Sequence, residues 1–333
     1  MRGKLRQYVH WPLIATYATL ALVAAVIIGA LAGHHEVVWR AGNLRAQPFD
    51  VHIVWPVFAD APTGPDGRPQ TWLPPGERAK LLALVQDTVR ENPLDDESMR
   101  ACAQALEATG WVRQVTRIQR HPGHAGGPPL VTVQAQWRPY YAVVREIGAD
   151  RLISPRGELL PMTYAPGATS LPVIFGASQP APASPGQEWI GGDVQAGLRT
   201  LALLTTAPDV FRQVVGVDVA RHTIDRTIVI VTTSGARVVW GAAPGDFAPT
   251  QVSPQEKLRR LVMLRNSREH QRRIDAGQTA IDISGLRGIT TDQSAGIATI
   301  LPEPSSQATP TGEPSAAPVA PMPPPPRDMA RAS

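Results

Sequence analysis

The chain has 333 residues, 43% hydrophobic and 18% charged, enough for one or two domains with true cores. Its 34 prolines and 28 glycines, set against 5% aromatics, imply that part of the chain builds no core. A single cysteine excludes an intramolecular disulfide and any multi-cysteine zinc site, and a net charge of +4 makes no case for nucleic acid.

Trp11 to Gly33 contains no charged residue. A helix of that length covers roughly 30 Å or a little more, which suits a bilayer core. Arg2, Lys4 and Arg6 precede it without an acidic residue, so the positive-inside rule puts the N-terminus in the cytoplasm and the remainder outside. A cleaved signal peptide is the competing reading. The apolar run is long for one and Ala30-Leu31-Ala32 is a weak cleavage site, so an uncleaved anchor is favoured.

Residues 34–47 read as a juxtamembrane linker. Phe49, Val51, Ile53 and Trp55 alternate with polar positions and predict a half-buried strand. Asp60 to Pro75 is a Pro/Gly loop. Leu81, Leu82, Val85 and Val89 recur at helical spacing, and a second helix carries Met99, Cys102, Ala103 and Leu106 on one stripe up to Gly110. Cys102 therefore reads as a small buried hydrophobe. Strands are expected over 111–119 and 130–136, giving a strand-helix-helix-strand-strand module over 48–138.

From Tyr140 the chain is mostly strands: 140–146, 151–154, 158–160, 171–175, 213–219, 226–232 and 236–240. A helix over 194–204 interrupts them, and Thr233-Ser234-Gly235 marks a hairpin. Ser253-Pro254-Gln255-Glu256 places an N-cap serine, a proline at the first helical position and a glutamate at the third, the signature of a capped helix. Leu258, Leu261, Val262 and Leu264 bury one side of it. Lys257, Arg259, Arg260, Arg265, Arg268, Arg272 and Arg273 read as a solvated basic face, with an acidic protein or anionic membrane surface as second choice. A last strand, Thr279 to Ile283, closes a second unit over 139–292. Residues 293–333 are Pro-rich, ending in four consecutive prolines at 323–326, and read as a disordered tail.

No chemistry-bearing constellation emerges. His121 and His124 lie in a Gly/Pro loop without convergent ligands, so no metal is expected. No G-x-S-x-G, H-E-x-x-H or Walker pattern occurs, Gly191-Gly192 reads as a loop-to-helix junction, and no residue set supports catalysis. The expectation is a non-enzyme with no cofactor, no small-molecule substrate and no nucleic-acid partner.

The basic tail at 1–10 and the span at 11–33 precede the strand-helix-helix-strand-strand module. That module contains Trp111-Val112, Val115, Arg117, Pro122 and Leu130-Val131-Thr132-Val133, and Arg138-Pro139 and Ala142 follow. Leu152 to Glu158 and Leu171 to Gly176 come next, then Gly235, Val238, Trp240, Gly241, Lys257-Leu258, Leu261 and Ile281-Asp282-Ile283. In this order these segments resemble the bacterial cell-division family FtsQ/DivIB, and the first module is similar to a polypeptide-transport-associated (POTRA) domain. The resemblance covers roughly residues 1–290. It implies an α+β fold and a bitopic inner-membrane scaffold at the division septum that recruits FtsB/FtsL-like membrane proteins. The alternative is an envelope POTRA protein that binds unfolded or transported polypeptides. As the closing strand, Thr279, Ala280, Ile281, Asp282 and Ile283 are the candidate partner-binding residues. They would form an exposed sheet edge with Ile281 and Ile283 inward and Ala280 and Asp282 outside the core.

Overall fold

A strand whose residues are all apolar must be covered on both faces, and this requirement organises the molecule. The structure is a computed structural model. It describes residues 49–58, 61–64, 67, 69–89, 96–121, 128–246, 248–286 and 288–291. The predicted membrane span, its basic flank, the juxtamembrane linker and the Pro-rich tail lie outside the described residues. Among those described, no helix is long and apolar enough to cross a membrane.

The architecture is α+β, with two sheets and six helices among the described residues. The first unit runs β1 (Asp50–Ile53), α1 (Pro75–Val89), α2 (Asp96–Ala108), β2 (Val112–His121) and β3 (Leu130–Trp137). Its sheet has the order β1-β3-β2, with β1 parallel to β3 and β2 antiparallel to it. Helix α1 buries Leu81, Val85 and Val89, which share one face at a four-residue spacing. Helix α2 contributes Cys102 and Leu106 in the same way. The turn after α2 needs Gly110: its φ is +84°, and a Cβ there would lie 2.4 Å from the Pro185 Cβ. The Pro/Gly loop expected over 60–75 also feeds the core, because its Trp72 and Leu73 are buried. Trp72 meets Tyr140 edge-on at 5.6 Å between ring centroids.

The second unit contains β4 (Ala142–Glu146), β5 (Ala149–Ile153), β6 (Leu159–Tyr164), β7 (Val173–Phe175), β8 (Val214–Asp218), β9 (Ile228–Thr232), β10 (Arg237–Gly241), β11 (Ala280–Asp282) and β12 (Thr290–Thr291). They form a nine-stranded mixed sheet in the order β12-β11-β10-β9-β8-β7-β4-β5-β6. Its helices are α3 (Gly192–Thr205), α4 (Pro208–Phe211), α5 (His222–Asp225) and α6 (Pro254–Asn266). The sequence pattern predicts neither the two four-residue helices nor β12.

Two apolar clusters share this sheet. Ala142, Val144, Ile153, Ile174, Val217, Ile230, Trp240 and Ile281 pack with Leu198, Leu201, Leu261 and Leu264 of α3 and α6. The alternate residues Val143, Leu152, Leu160 and Val173 pack instead with Trp111, Val131 and Val133 of the first unit. The β4–β7 region is therefore buried on both faces, and one core crosses the expected boundary at 138/139. A polar hub sits beside it. The Glu158 carboxylate accepts from Arg113 Nη2 at 2.7 Å, Arg138 Nε at 3.0 Å and Ser154 Oγ at 2.7 Å.

Burial pushes the Cys102 thiol up to about 11, so little thiolate forms near neutrality. In the folded chain Cys102 is expected to resist a water-soluble aromatic disulfide reagent and to react fully in denaturant. Rapid labelling under native conditions, followed by absorbance, would contradict its burial.

Candidate functional site

The candidate residues lie at the β12 end of the large sheet. Strand β11 runs parallel to β10, with Arg237 opposite Ala280 and Val239 opposite Asp282. The Arg237 N–H donates to the Thr279 carbonyl and the Ile283 N–H to the Val239 carbonyl. Backbone groups of Thr279, Ile281 and Ile283 thus face β10, while those of Ala280 and Asp282 face the opposite side. Side chains alternate as expected, with Ile281 and Ile283 at 1% and 0% exposure and Ala280 and Asp282 half-buried.

The closing strand is not the outermost one, and this corrects the sequence expectation of an exposed edge at Thr279–Ile283. Strand β12 pairs antiparallel with β11, placing Thr290 opposite Asp282 and Thr291 opposite Ile281. Since Asp282 turns its backbone towards β12, Asp282 and Thr290 form the hydrogen-bonded pair. Thr291 and Ile289 then turn their backbone groups to the open side. Among the described residues, no hydrogen bond is made by either of these two on that side.

Asp282 is also committed: its Oδ1 accepts from the Ser284 N–H and from the Ser284 hydroxyl, both at 2.7 Å. The carboxylate shapes the turn out of β11. At the opposite end of the sheet, the Leu159 N–H donates to the Gln187 carbonyl and the Gly186 N–H to the Leu159 carbonyl. Pro161 then removes a donor from β6 itself. These bonds and the missing donor cover β6 over Leu159–Pro161, whereas at the β12 end, among the described residues, no further strand pairs with Ile289 or Thr291.

Helix α6 stands behind this edge. Ser253 caps it as the sequence predicted, its Oγ accepting from the Glu256 N–H at 3.2 Å. The Glu256 carboxylate pairs with Arg259 and Arg260 rather than reaching back to the cap. The helix ends at Asn266, so Arg268, Arg272 and Arg273 lie beyond it. The expected solvated basic face is corrected at two positions: Lys257 is 1% exposed and Arg260 is 8% exposed. Both belong to the stripe 257, 260, 261, 264 that faces inward, a signal legible in the helical period. Lys257 Nζ donates to the Ala242 carbonyl at 3.2 Å and to Gln251 Oε1 at 2.9 Å, and it lies 5.5 Å from the Trp240 ring centroid.

Burial pushes the Lys257 ammonium down to about 8, with the Asp282 charge opposing. A lysine whose folded pKa is depressed makes stability rise with pH above that folded value, until the unfolded pKa near 10.5 is passed. Between pH 8 and 9.5 the folded protein should gain about 2 kcal/mol from this group. Denaturation across that window should show the gain, and Lys257→Met should flatten it. An equal slope in both proteins would refute the assignment.

His121 ends β2 at an exposed position, and His124 lies outside the described residues. Among the described residues no group of His, Cys, Asp and Glu is arranged to hold a metal ion. Gly191 caps α3 with φ of +104°, a loop-to-helix junction as read from the sequence. The signal for β12 was Ile289-Thr290-Thr291 after a glycine, a β-branched run too short for periodicity to register. In comparisons with known proteins, no family model and no curated protein matches the chain.

Proposed function

We propose that this chain is a bitopic, non-enzymatic scaffold of the bacterial divisome, of the FtsQ/DivIB kind. In this reading it is held in the cytoplasmic membrane by residues 11–33, with the remainder outside the cytoplasm. The supporting observation is a sheet edge at β12 that no further strand covers among the described residues, in a fold whose first unit has the β-α-α-β-β order expected of a POTRA-like module. Recognition is by strand addition: a partner segment from an FtsB/FtsL-like membrane protein pairs with the outward groups of Ile289 and Thr291. Affinity comes from main-chain hydrogen bonds and selectivity from side chains on alternate faces. The Thr279–Ile283 strand supports that edge from within rather than meeting the partner first.

Thr291→Pro tests this reading, because it removes an outward N–H without touching the β11 ladder. A fluorescent fusion of the wild type should form a midcell band and recruit the downstream membrane partners. The Thr291→Pro protein should fold equally well and fail to recruit them. Unchanged recruitment would remove this edge from the interface. A reporter active only in the cytoplasm, fused after Ser333, should be silent.

A second reading, capture of unfolded polypeptides in the envelope, draws on the ten-residue edge strand β2. Its Val115 N–H is already occupied by Glu107 at 2.8 Å. A diffuse envelope signal from the same fusion would select that reading.

A further inference from the structure

The connection from β11 to β12 converges on one buried side chain. Arg260 Nη1 donates to the Ile283 carbonyl at 2.8 Å, the Gly285 carbonyl at 2.7 Å and the Gly288 carbonyl at 3.3 Å. Its Nε donates to Glu256 Oε1 at 3.3 Å, which steadies the guanidinium from its own helix. Bonds from a charged donor to backbone carbonyls are stronger than neutral ones, and a buried carbonyl left without a donor must find water.

Other attachments hold only the first half of this connection. The Val252 N–H donates to the Ser284 carbonyl, Gln251 bridges to Gly285, and Asp282 holds Ser284. Past Gly285, among the described residues, Arg260 supplies the one hydrogen bond into the turn, at Gly288. Gly288 adopts a φ of +116°, a conformation open to glycine and avoided by L side chains. Beyond it β12 has two paired residues and the half-buried Ile289. A ladder that short gives little independent stability.

We propose that Arg260 is a positioning residue that latches β12 onto the sheet and so sets the edge offered to a partner strand, without touching that partner. Its functional consequence rests on the strand-addition reading above; its structural consequence does not. Without the guanidinium, the three carbonyls draw water into the turn and β12 leaves β11, while the apolar stripe of α6 continues to hold the helix.

The test is hydrogen exchange on the full chain in detergent, comparing wild type with Arg260→Met and Arg260→Lys. In Arg260→Met, peptides covering 280–291 should exchange at least about 10-fold faster, while those from α6 and β8–β10 change less than about 3-fold. Arg260→Lys, whose ammonium cannot span three carbonyls, should show the same selective pattern at smaller amplitude. This variant keeps the test decisive if the methionine protein does not fold. Unchanged exchange at 280–291, or equal acceleration across α6 and β10, would overturn the latch. Midcell recruitment separates the two ideas. Selective opening with normal recruitment sinks the strand-addition reading and leaves the latch standing. Loss of recruitment by Thr291→Pro, with no opening in Arg260→Met or Arg260→Lys, does the reverse.

Discussion

Replacing Glu158 by alanine is expected to lower the stability of the folded chain by about 3 kcal/mol. The carboxylate, 13% exposed, is the shared acceptor for Arg113 of β2, Arg138 just past β3 and the Ser154 hydroxyl of the second unit. Removing it strands two guanidinium groups at a largely dry junction. Arg113 is 28% exposed and can recover water, which moderates the loss. Arg138 is more enclosed and also donates to the Gly110 and Val112 carbonyls, so its displacement should loosen the turn into β2. Burial alone would raise the Glu158 pKa, but bonds from Arg113, Ser154 and Arg138 outweigh it and hold the carboxyl below its ordinary value. The contribution of a carboxylate so depressed is present above the unfolded pKa and is lost as pH falls through the folded one. Denaturant titrations at pH 7 and pH 3 should show a smaller acid loss in Glu158→Gln than in wild type. A Glu158→Ala loss below about 0.5 kcal/mol would show that the junction is held by apolar packing alone.

Gly216→Ala should be at least as damaging, costing about 3 kcal/mol or more. Gly216 lies in β8 opposite Val173 of β7. A Cβ built there falls 1.9 Å from the Val173 carbonyl oxygen and 2.7 Å from its carbonyl carbon, both backbone atoms. A flexible side chain could swing aside, but a strand in mid-sheet cannot. Strand β7 carries Val173 into one apolar cluster and Ile174 into the other, so shifting it disturbs both cores at once. A variant with wild-type melting temperature would show that β7 and β8 separate without cost.

Much of the fold was legible because local signals were strong. The periods of α1, α2 and α3, the Ser253–Pro254 cap and the alternation at 49–55 each rest on side chains within a few residues of one another. The candidate site was legible in part. Sequence located the strand at 280–282 and the inward direction of Ile281 and Ile283. It misplaced the edge, because which strand is outermost is a matter of long-range pairing. It also read Lys257 and Arg260 as solvated, since positive charge in a helix usually faces water. Backbone carbonyls and Gln251 on neighbouring segments supply their donors with acceptors instead.

The sequence by itself determined the identity and order of the main elements, since hydrophobic period, caps and glycine turns are local properties. It could not decide which face of the run Tyr140 to Val144 meets what, because every residue in that run is apolar and period carries no information there. The tertiary structure sends Ala142 and Val144 towards α3 and α6, and Val143 towards the first unit. It likewise decides that, among the described residues, a strand of two, Thr290–Thr291, rather than Thr279–Ile283, is the outermost. A segment that short has no pattern of its own and is defined by the partners that hold it.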